Sequence, residues 1–316
     1  MSLTAEAPGF LEVYSNGCVK RFAPEIALAS SESSNGCNSK DIIIDPSKPV
    51  TARLFLPPHP PSSSSHKKFP VLVYFHGGGF CIGSTTWLGY HKFLSDFSLA
   101  SQSIVLSVDY RLAPEHRLPT AYEDCYSSLD WLHNQTGSEP WLDEADLSRV
   151  FLSGDSAGGN IAHHVAMKAM EKNAREEIRI IIKGILPIHP YFGSEKRTEK
   201  EEAEIAGEDV RMNDMFWRLS IPDGSNRDYY GCNFEMCESE SERKWCEFPA
   251  VEVYVAGMDF LKERGEMYAE FLKKKGVKEV KLVEAKGEQH VFHVFYPESE
   301  ATRLLQTQMT QFIHTH

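Results

Sequence analysis

Hydrophobic and polar positions fall into two regimes along the chain. From Phe69 onward, short apolar runs rich in β-branched residues recur at Val71 to Phe75, Ile104 to Val108, Val150 to Ser153, Ile180 to Pro187, Val251 to Ala256 and Val280 to Glu284, with helical stretches between them. Runs that short and that uniformly apolar are strands covered on both faces, and the helical stretches between them serve as crossovers. The pattern predicts an α/β fold with a mostly parallel central sheet and helices on both faces. Before Phe69 the texture differs. Residues 10–22, FLEVYSNGCVKRF, alternate apolar and polar positions around Asn16-Gly17, the pair favoured in two-residue type I′ turns, so a short hairpin is expected there. Residues 30–40 and 57–68 are rich in Ser, Pro, Asn and Lys and read as surface loops flanking a strand at Thr51 to Leu56. Neither reads as a linker, so one domain spanning 1–316 is expected. Between Tyr191 and Glu247 the rhythm breaks into charge-dense helical patches, such as Glu195 to Glu204, and scattered aromatics. That stretch reads as an insertion over the C-terminal edge of the sheet.

Composition narrows the function classes. Across 316 residues, 41% are hydrophobic and 25% charged, enough apolar material for a large core. A formal net charge of −12 repels phosphate backbones and anionic membranes, so neither nucleic acid nor a membrane surface is an expected partner. No apolar run is long enough to span a bilayer, and MSLTAEAPGFLEVY lacks the basic and apolar regions of a secretory leader. A soluble, cytoplasmic protein is the expectation. The seven cysteines, at 18, 37, 81, 125, 232, 237 and 246, include no Cys-x-x-Cys, which suggests reduced thiols rather than a disulfide framework or a zinc site.

The sharpest local signal is FLSGDSAGGNIAHHVA at 151–166, where an apolar strand runs into Gly154-Asp155-Ser156-Ala157-Gly158 and then into a helix. This is the nucleophile-elbow pattern, in which glycines two positions either side of the serine permit a strand-to-helix turn that presents Ser156 Oγ at the helix N-terminus. The second signal is VLVYFHGGGF at 71–80, a buried-type strand ending in three glycines. A serine nucleophile needs backbone N–H groups aimed at the oxyanion of the tetrahedral intermediate, and we expect Gly78 and Gly79, with Ala157, to supply them. The loop lacks both the Gly-Lys-Ser/Thr of a phosphate loop and the spacing of a dinucleotide site.

An elbow of this type is followed by an acid and then a histidine. Asp259 lies between the strand VEVYVAGM and the helix FLKERGEMYAEFLKKKG, which places its carboxylate on a loop at the C-terminal edge of the sheet. For the base, His290 and His293 in GEQHVFHVFYP are the candidates. His290 is nearer the Gly287 turn and is the expected base, whereas His293, at the start of the terminal helix, is expected to pack or cap. His163 and His164 are neighbours on one helix and point in different directions, so no metal pair is implied. Cys81 has no elbow around it and reads as a small buried hydrophobe. Among Trp87, Tyr90, Phe192, Phe216, Trp217, Tyr229 and Tyr230, two or three are expected to touch a ligand.

HGGGF, DYRLAPEHRLPTAYED at 109–124, GDSAGGN, AGMD at 256–259 and His290, occurring in this order, resemble plant carboxylesterases of the hormone-sensitive-lipase-like branch of the α/β-hydrolase superfamily. The likeness covers nearly the whole chain. It implies a Ser156, Asp259 and His290 triad, an oxyanion hole from Gly78, Gly79 and Ala157, and a cap from about 1–40 and 191–247. Arg111, Glu115 and His116 would fix the loop behind the site. Residues 225–233 depart from the Asp-His-Pro turn more usual in relatives. The activity implied is hydrolysis of small to medium hydrophobic carboxylic esters through an acyl-enzyme, with no cofactor and no metal, by a monomer or homodimer. Two alternatives come with the resemblance: a lyase, dehydratase or cyclase of specialised metabolism, and a hormone-binding protein resembling the gibberellin receptors. The retained Ser156 and plain HGGGF favour the esterase over the first, and His290, the base those receptors have lost, over the second.

Overall fold

In the computed structural model, which describes residues 2–32, 36–59, 68–135, 137–174, 180–236 and 245–316, an eight-stranded sheet divides the molecule. Cys237, most of the 57–68 loop, part of the 30–40 loop and the 237–244 portion of the insertion lie outside the described residues. Three short strands come first, β1 (Leu3–Ala7), β2 (Leu11–Tyr14) and β3 (Val19–Arg21), and form a separate antiparallel sheet. The main sheet contains β4 (Asn38–Asp45), β5 (Val50–Leu56), β6 (Phe69–Phe75), β7 (Ile104–Asp109), β8 (Ala145–Asp155), β9 (Ile182–Ile188), β10 (Ala250–Ala256) and β11 (Val280–Ala285). Its order is β11-β10-β9-β8-β6-β7-β5-β4, parallel from β11 to β7 and antiparallel at β5 and β4.

Every residue of β6 is buried, because successive side chains alternate between two covered faces. Val71, Val73 and Phe75 join the core beneath α2 (Thr120–Asn134), α3 (Ala157–Ala174) and α6 (Lys262–Lys275). α1 (Leu88–Ser101), which follows β6, and α8 (Glu300–Thr315) cover the opposite face, where Leu72 and Tyr74 meet Phe93, Phe97, Met309 and Phe312. That two-sided burial is why these strands read as continuous apolar runs.

Two readings are corrected. Asn16-Gly17 does not form a two-residue turn: Tyr14 N–H donates to the Cys18 carbonyl at 2.9 Å, enclosing a three-residue loop in which Gly17 has φ 83°. This is the longer hairpin form in which a left-handed glycine ends the loop. β4 begins inside the predicted 30–40 loop. It is an edge strand with Asp41 and Ile43 exposed and Asn38, Lys40 and Asp45 half-buried, so most of its polar residues need no full burial and its composition resembles a loop.

Between β9 and β10 lie α4 (Glu199–Glu202) and α5 (Gly207–Ser220). Leu219 of α5 packs with Ala5, Ala7, Leu11 and Val13 of the N-terminal sheet, and Met212, Met215 and Phe216 flank the cluster. Cys81 and Ile82 complete it, so the N-terminal strands and α5 meet directly over the turn after β6. A buried Arg264–Glu201 ion pair at 2.7 Å ties α4 to α6.

Candidate active site

The C-terminal ends of β6, β8, β10 and β11 meet at one place, as expected for loops that gather catalytic groups on a parallel sheet. At the end of β8 the chain turns sharply, with Ser156 at φ 52° and its N–H donating to the Ile188 carbonyl at 2.8 Å. A non-glycine residue held in that region is strained, and the packing around it must enforce the turn. Gly158 shows how tightly. A β-carbon there would lie 1.8 Å from the Phe75 carbonyl oxygen, and one at Gly154 would lie 2.4 Å from the same atom. Gly158→Ala therefore forces α3 away from β6, and we expect a loss of about 3 kcal/mol or more, a drop of roughly 5 °C or more in Tm by thermal unfolding.

His290 Nε2 lies 3.0 Å from Ser156 Oγ, and His290 Nδ1 lies 2.7 Å from Asp259 Oδ2. The Leu261 N–H donates to Asp259 Oδ1 at 2.9 Å, so both carboxylate oxygens are engaged. Burial pushes the Asp259 carboxyl up, but the charge and hydrogen bond of His290, with help from the Leu261 N–H, hold it below its ordinary value. For His290, burial works downward and Asp259 outweighs it, leaving the imidazole above its ordinary 6.5. Lys200, from α4, donates through Nζ to the Gly257 carbonyl at 3.1 Å and the Asp259 carbonyl at 3.4 Å, pinning the acid loop from the insertion side.

The three loop glycines answer to separate constraints. A β-carbon on Gly77 would sit 2.3 Å from Asp155 Oδ2, one on Gly78 (φ 107°) would sit 2.2 Å from the Ile82 carbonyl oxygen, and one on Gly79 would sit 2.7 Å from the Phe216 ring. Among the described residues, no protein group accepts the N–H of Gly78, Gly79 or Ala157. The loop is fixed from below by Asp155, which accepts from Gly77 N–H at 3.1 Å, Tyr74 Oη at 2.7 Å and Tyr90 Oη at 2.9 Å. Burial is the largest influence on Asp155 and raises its carboxyl, while the two tyrosine hydrogen bonds work against it.

Sequence reasoning missed this Asp155, Tyr74 and Tyr90 support, since a lone Tyr in a strand and another in a helix carry no spacing signal. It also missed His189, which follows β9 at φ 47° and accepts the Val291 N–H through Nδ1 at 2.9 Å. Burial keeps His189 well below its ordinary value and therefore neutral. His189, Asp259 and His290 place donor atoms within 4.8 Å of one another, a grouping able to hold a cation. Both His290 nitrogens are already engaged, however, and a cation there would take the imidazole away from Ser156.

His293 packs beside Tyr74 and Phe93. It is fully buried, 3.3 Å from Tyr74 Oη, and burial pushes it down to about 3. It belongs to a short helix, α7 (Phe292–Phe295), separate from the terminal helix in which the sequence placed it. Cys81 is buried and its thiol is pushed far up by burial. Behind the site, Arg111 pairs with Asp124 at 2.8 Å and Glu115 with Arg21 at 2.6 Å.

Above Ser156 lies a cavity of about 520 Å³. Its walls include Ala7 and Phe10 from the N-terminal sheet, Met212 and Phe216 from α5, and Trp87, Phe260, Val294 and Phe295. Of the seven aromatics singled out, Trp87, Tyr90 and Phe216 line it, whereas Phe192 and Trp217 are fully buried in the core. Among the described residues no helix is long and apolar enough to cross a membrane.

Comparison with known proteins gives a consistent answer. A family described as an alpha/beta hydrolase fold matches residues 72–294. Probable carboxylesterase 1 of Arabidopsis thaliana is 38% identical over 310 residues, covering 95% of this chain and 94% of that protein. Tuliposide A-converting enzyme 1, chloroplastic, of Tulipa gesneriana is 36% identical, with 96% of this chain and 76% of that protein covered. A thermostable carboxylesterase cloned from a metagenomic library superposes with a TM-score of 0.72 at 28% identity, over 88% of each chain. The cytoplasmic placement expected from the sequence is overturned by the tulip relative, whose name points to the plastid. The features of a secretory leader do not separate cytosol from plastid, because plastid-targeting segments carry no long apolar region.

Proposed function

The chain belongs to the α/β-hydrolase fold family, as a carboxylesterase of the plant type, and on that premise we propose that Ser156, His290 and Asp259 cleave small to medium hydrophobic esters through an acyl-enzyme. One observation carries the assignment: a single imidazole bridges Ser156 Oγ and a buried carboxylate, at 3.0 and 2.7 Å. His290 Nε2 takes the Ser156 proton as Oγ attacks the ester carbonyl, while Asp259 holds the Nδ1–H tautomer and stabilises the imidazolium. The developing oxyanion turns toward the free amides of Gly78, Gly79 and Ala157. Collapse expels the alcohol with the proton from His290, and water activated by the same nitrogen releases the acid. Aliphatic and aromatic walls around the cavity favour apolar acyl and alcohol groups of modest size. We read the segments about 1–40 and 191–247 as the cap over this pocket.

The test is steady-state hydrolysis of p-nitrophenyl butyrate. Turnover with release of butyric acid supports the reading, and an inert, correctly folded enzyme sinks it. The base must be unprotonated in the free enzyme, and Asp259 raises the His290 value. Accordingly kcat/KM should fall as pH drops, with a midpoint above the ordinary 6.5 and a limiting slope of about tenfold per pH unit. A midpoint below 6.5 in a full pH profile would contradict the assignment of His290.

A second reading draws on the tulip relatives, which are named converting enzymes. In it His290 removes a proton from the substrate itself, and elimination or cyclisation follows. Product analysis separates the two, since only the hydrolase incorporates one oxygen of labelled water into the acid.

A further inference from the structure

Helix α5 turns one face to the cavity: Asp209, Met212, Asn213 and Phe216 all line it, at the i, i+3, i+4 and i+7 spacing of a single helical stripe. Two of the four are polar, and their situations differ. Asp209 is exposed, so water serves its carboxylate. Asn213 is only 4% exposed, and its Oδ1 is buried with no hydrogen-bond partner. Its backbone carbonyl accepts from Tyr191 Oη at 3.0 Å, which fixes the main chain and leaves the amide head uncommitted. The remaining polar side chains of the wall are partnered or wet: Tyr191 through that bond, and Gln289 by its exposure. Native interiors rarely leave a polar atom unpaired, and among the described residues Asn213 is the one lining the cavity with such an atom, which points to a ligand group as its partner.

We propose that Asn213 recognises a hydroxyl group on the substrate, so that the preferred esters are hydroxylated, bearing on the acyl or the alcohol part a hydroxyl that reaches α5. A hydroxyl both donates and accepts, and it therefore suits the amide whichever way its oxygen and nitrogen are turned. An apolar ester fills the same space but leaves Asn213 stripped of water and unpaired, so the site discriminates against it. The inference rests on the esterase reading for the identity of the ligand as an ester, and its test is arranged to be independent of turnover.

The experiment compares butyl butyrate, butyl 3-hydroxybutyrate and 3-hydroxybutyl butyrate, which place the hydroxyl on neither side, the acyl side or the alcohol side. Their dissociation constants are measured by calorimetry on the Ser156→Ala enzyme, which binds without cleaving. One hydroxylated ester should bind about tenfold or more tightly than butyl butyrate. Adding Asn213→Leu should cut that preference to about twofold or less and should tighten butyl butyrate. Asn213→Ala provides the same comparison if the leucine variant does not fold. Equal binding of the three esters, or a preference that survives loss of Asn213, overturns the proposal. Turnover of the same esters by the wild-type enzyme is read separately: failure there removes the esterase reading, while the binding constants still decide the role of Asn213.

Discussion

The Ser156→Ala enzyme is expected to fold normally and to hydrolyse p-nitrophenyl butyrate on the order of 10⁴- to 10⁶-fold more slowly than the wild type. The substitution removes one oxygen at a site only 6% exposed, and alanine tolerates the left-handed backbone at φ 52° about as well as serine does. The elbow should survive, so Tm should stay within a few degrees of the parent. What disappears is the covalent route. With Oγ gone, His290 Nε2 has only water to activate, and the ester can be cleaved only by direct hydrolysis beside the oxyanion donors. Pre-steady-state measurement sharpens the test: the wild type should release a burst of p-nitrophenolate stoichiometric with enzyme if deacylation is slow, and the variant none. Residual activity within tenfold of wild type would require another nucleophile. Cys81 is ill suited to that role, because its thiol is buried and held in the protonated form.

How much of this could be read from residues alone varied with the physics behind each feature. Strands buried on both faces announce themselves, since nearly every position is apolar; β6, β7 and β10 were legible to within a residue or two. The edge strand β4 and the outermost β1 obey no such constraint, and their mixed composition hid them. Ser156 and the Gly77 to Gly79 loop stood out because a tight turn and a close backbone approach forbid most side chains, a restriction that local sequence records. His290 and Asp259 were found through chain order relative to the elbow. The residues that sequence did not yield are those whose role is set entirely by tertiary contact. Asp155 meets Tyr74 and Tyr90 only because β8 lies beside β6 and α1 crosses below, and Asn213 faces the cavity only because α5 lies over the turn after β6. Compartment was not legible at all, because the basic and apolar regions of a secretory leader distinguish secreted from retained proteins and do not separate cytosol from plastid.

Asp259→Asn should cost about 10⁴-fold in kcat with little change in KM, although it alters a single atom. The loss depends on which way the new amide faces. Asp259 uses Oδ1 to accept the Leu261 N–H at 2.9 Å and Oδ2 to accept from His290 Nδ1 at 2.7 Å. In the asparagine variant the Leu261 N–H still demands an acceptor, so the amide oxygen takes that side and the NH₂ group is turned toward His290. An NH₂ can only donate. Nδ1 must then be the unprotonated nitrogen, which moves the ring proton to Nε2, the atom that has to accept from Ser156. The base is thus blocked by its own tautomer while the fold stays in place. The charge that raises His290 is lost in the same step, so the acid limb of kcat/KM should move to lower pH than in the wild type. The two effects separate a catalytic carboxylate from a structural one, since a merely destabilised loop would lower activity without moving the pH midpoint. Kinetics across pH on the purified variant, with Tm as the control for folding, would decide it: a loss of less than about tenfold with an unmoved midpoint would remove Asp259 from the triad.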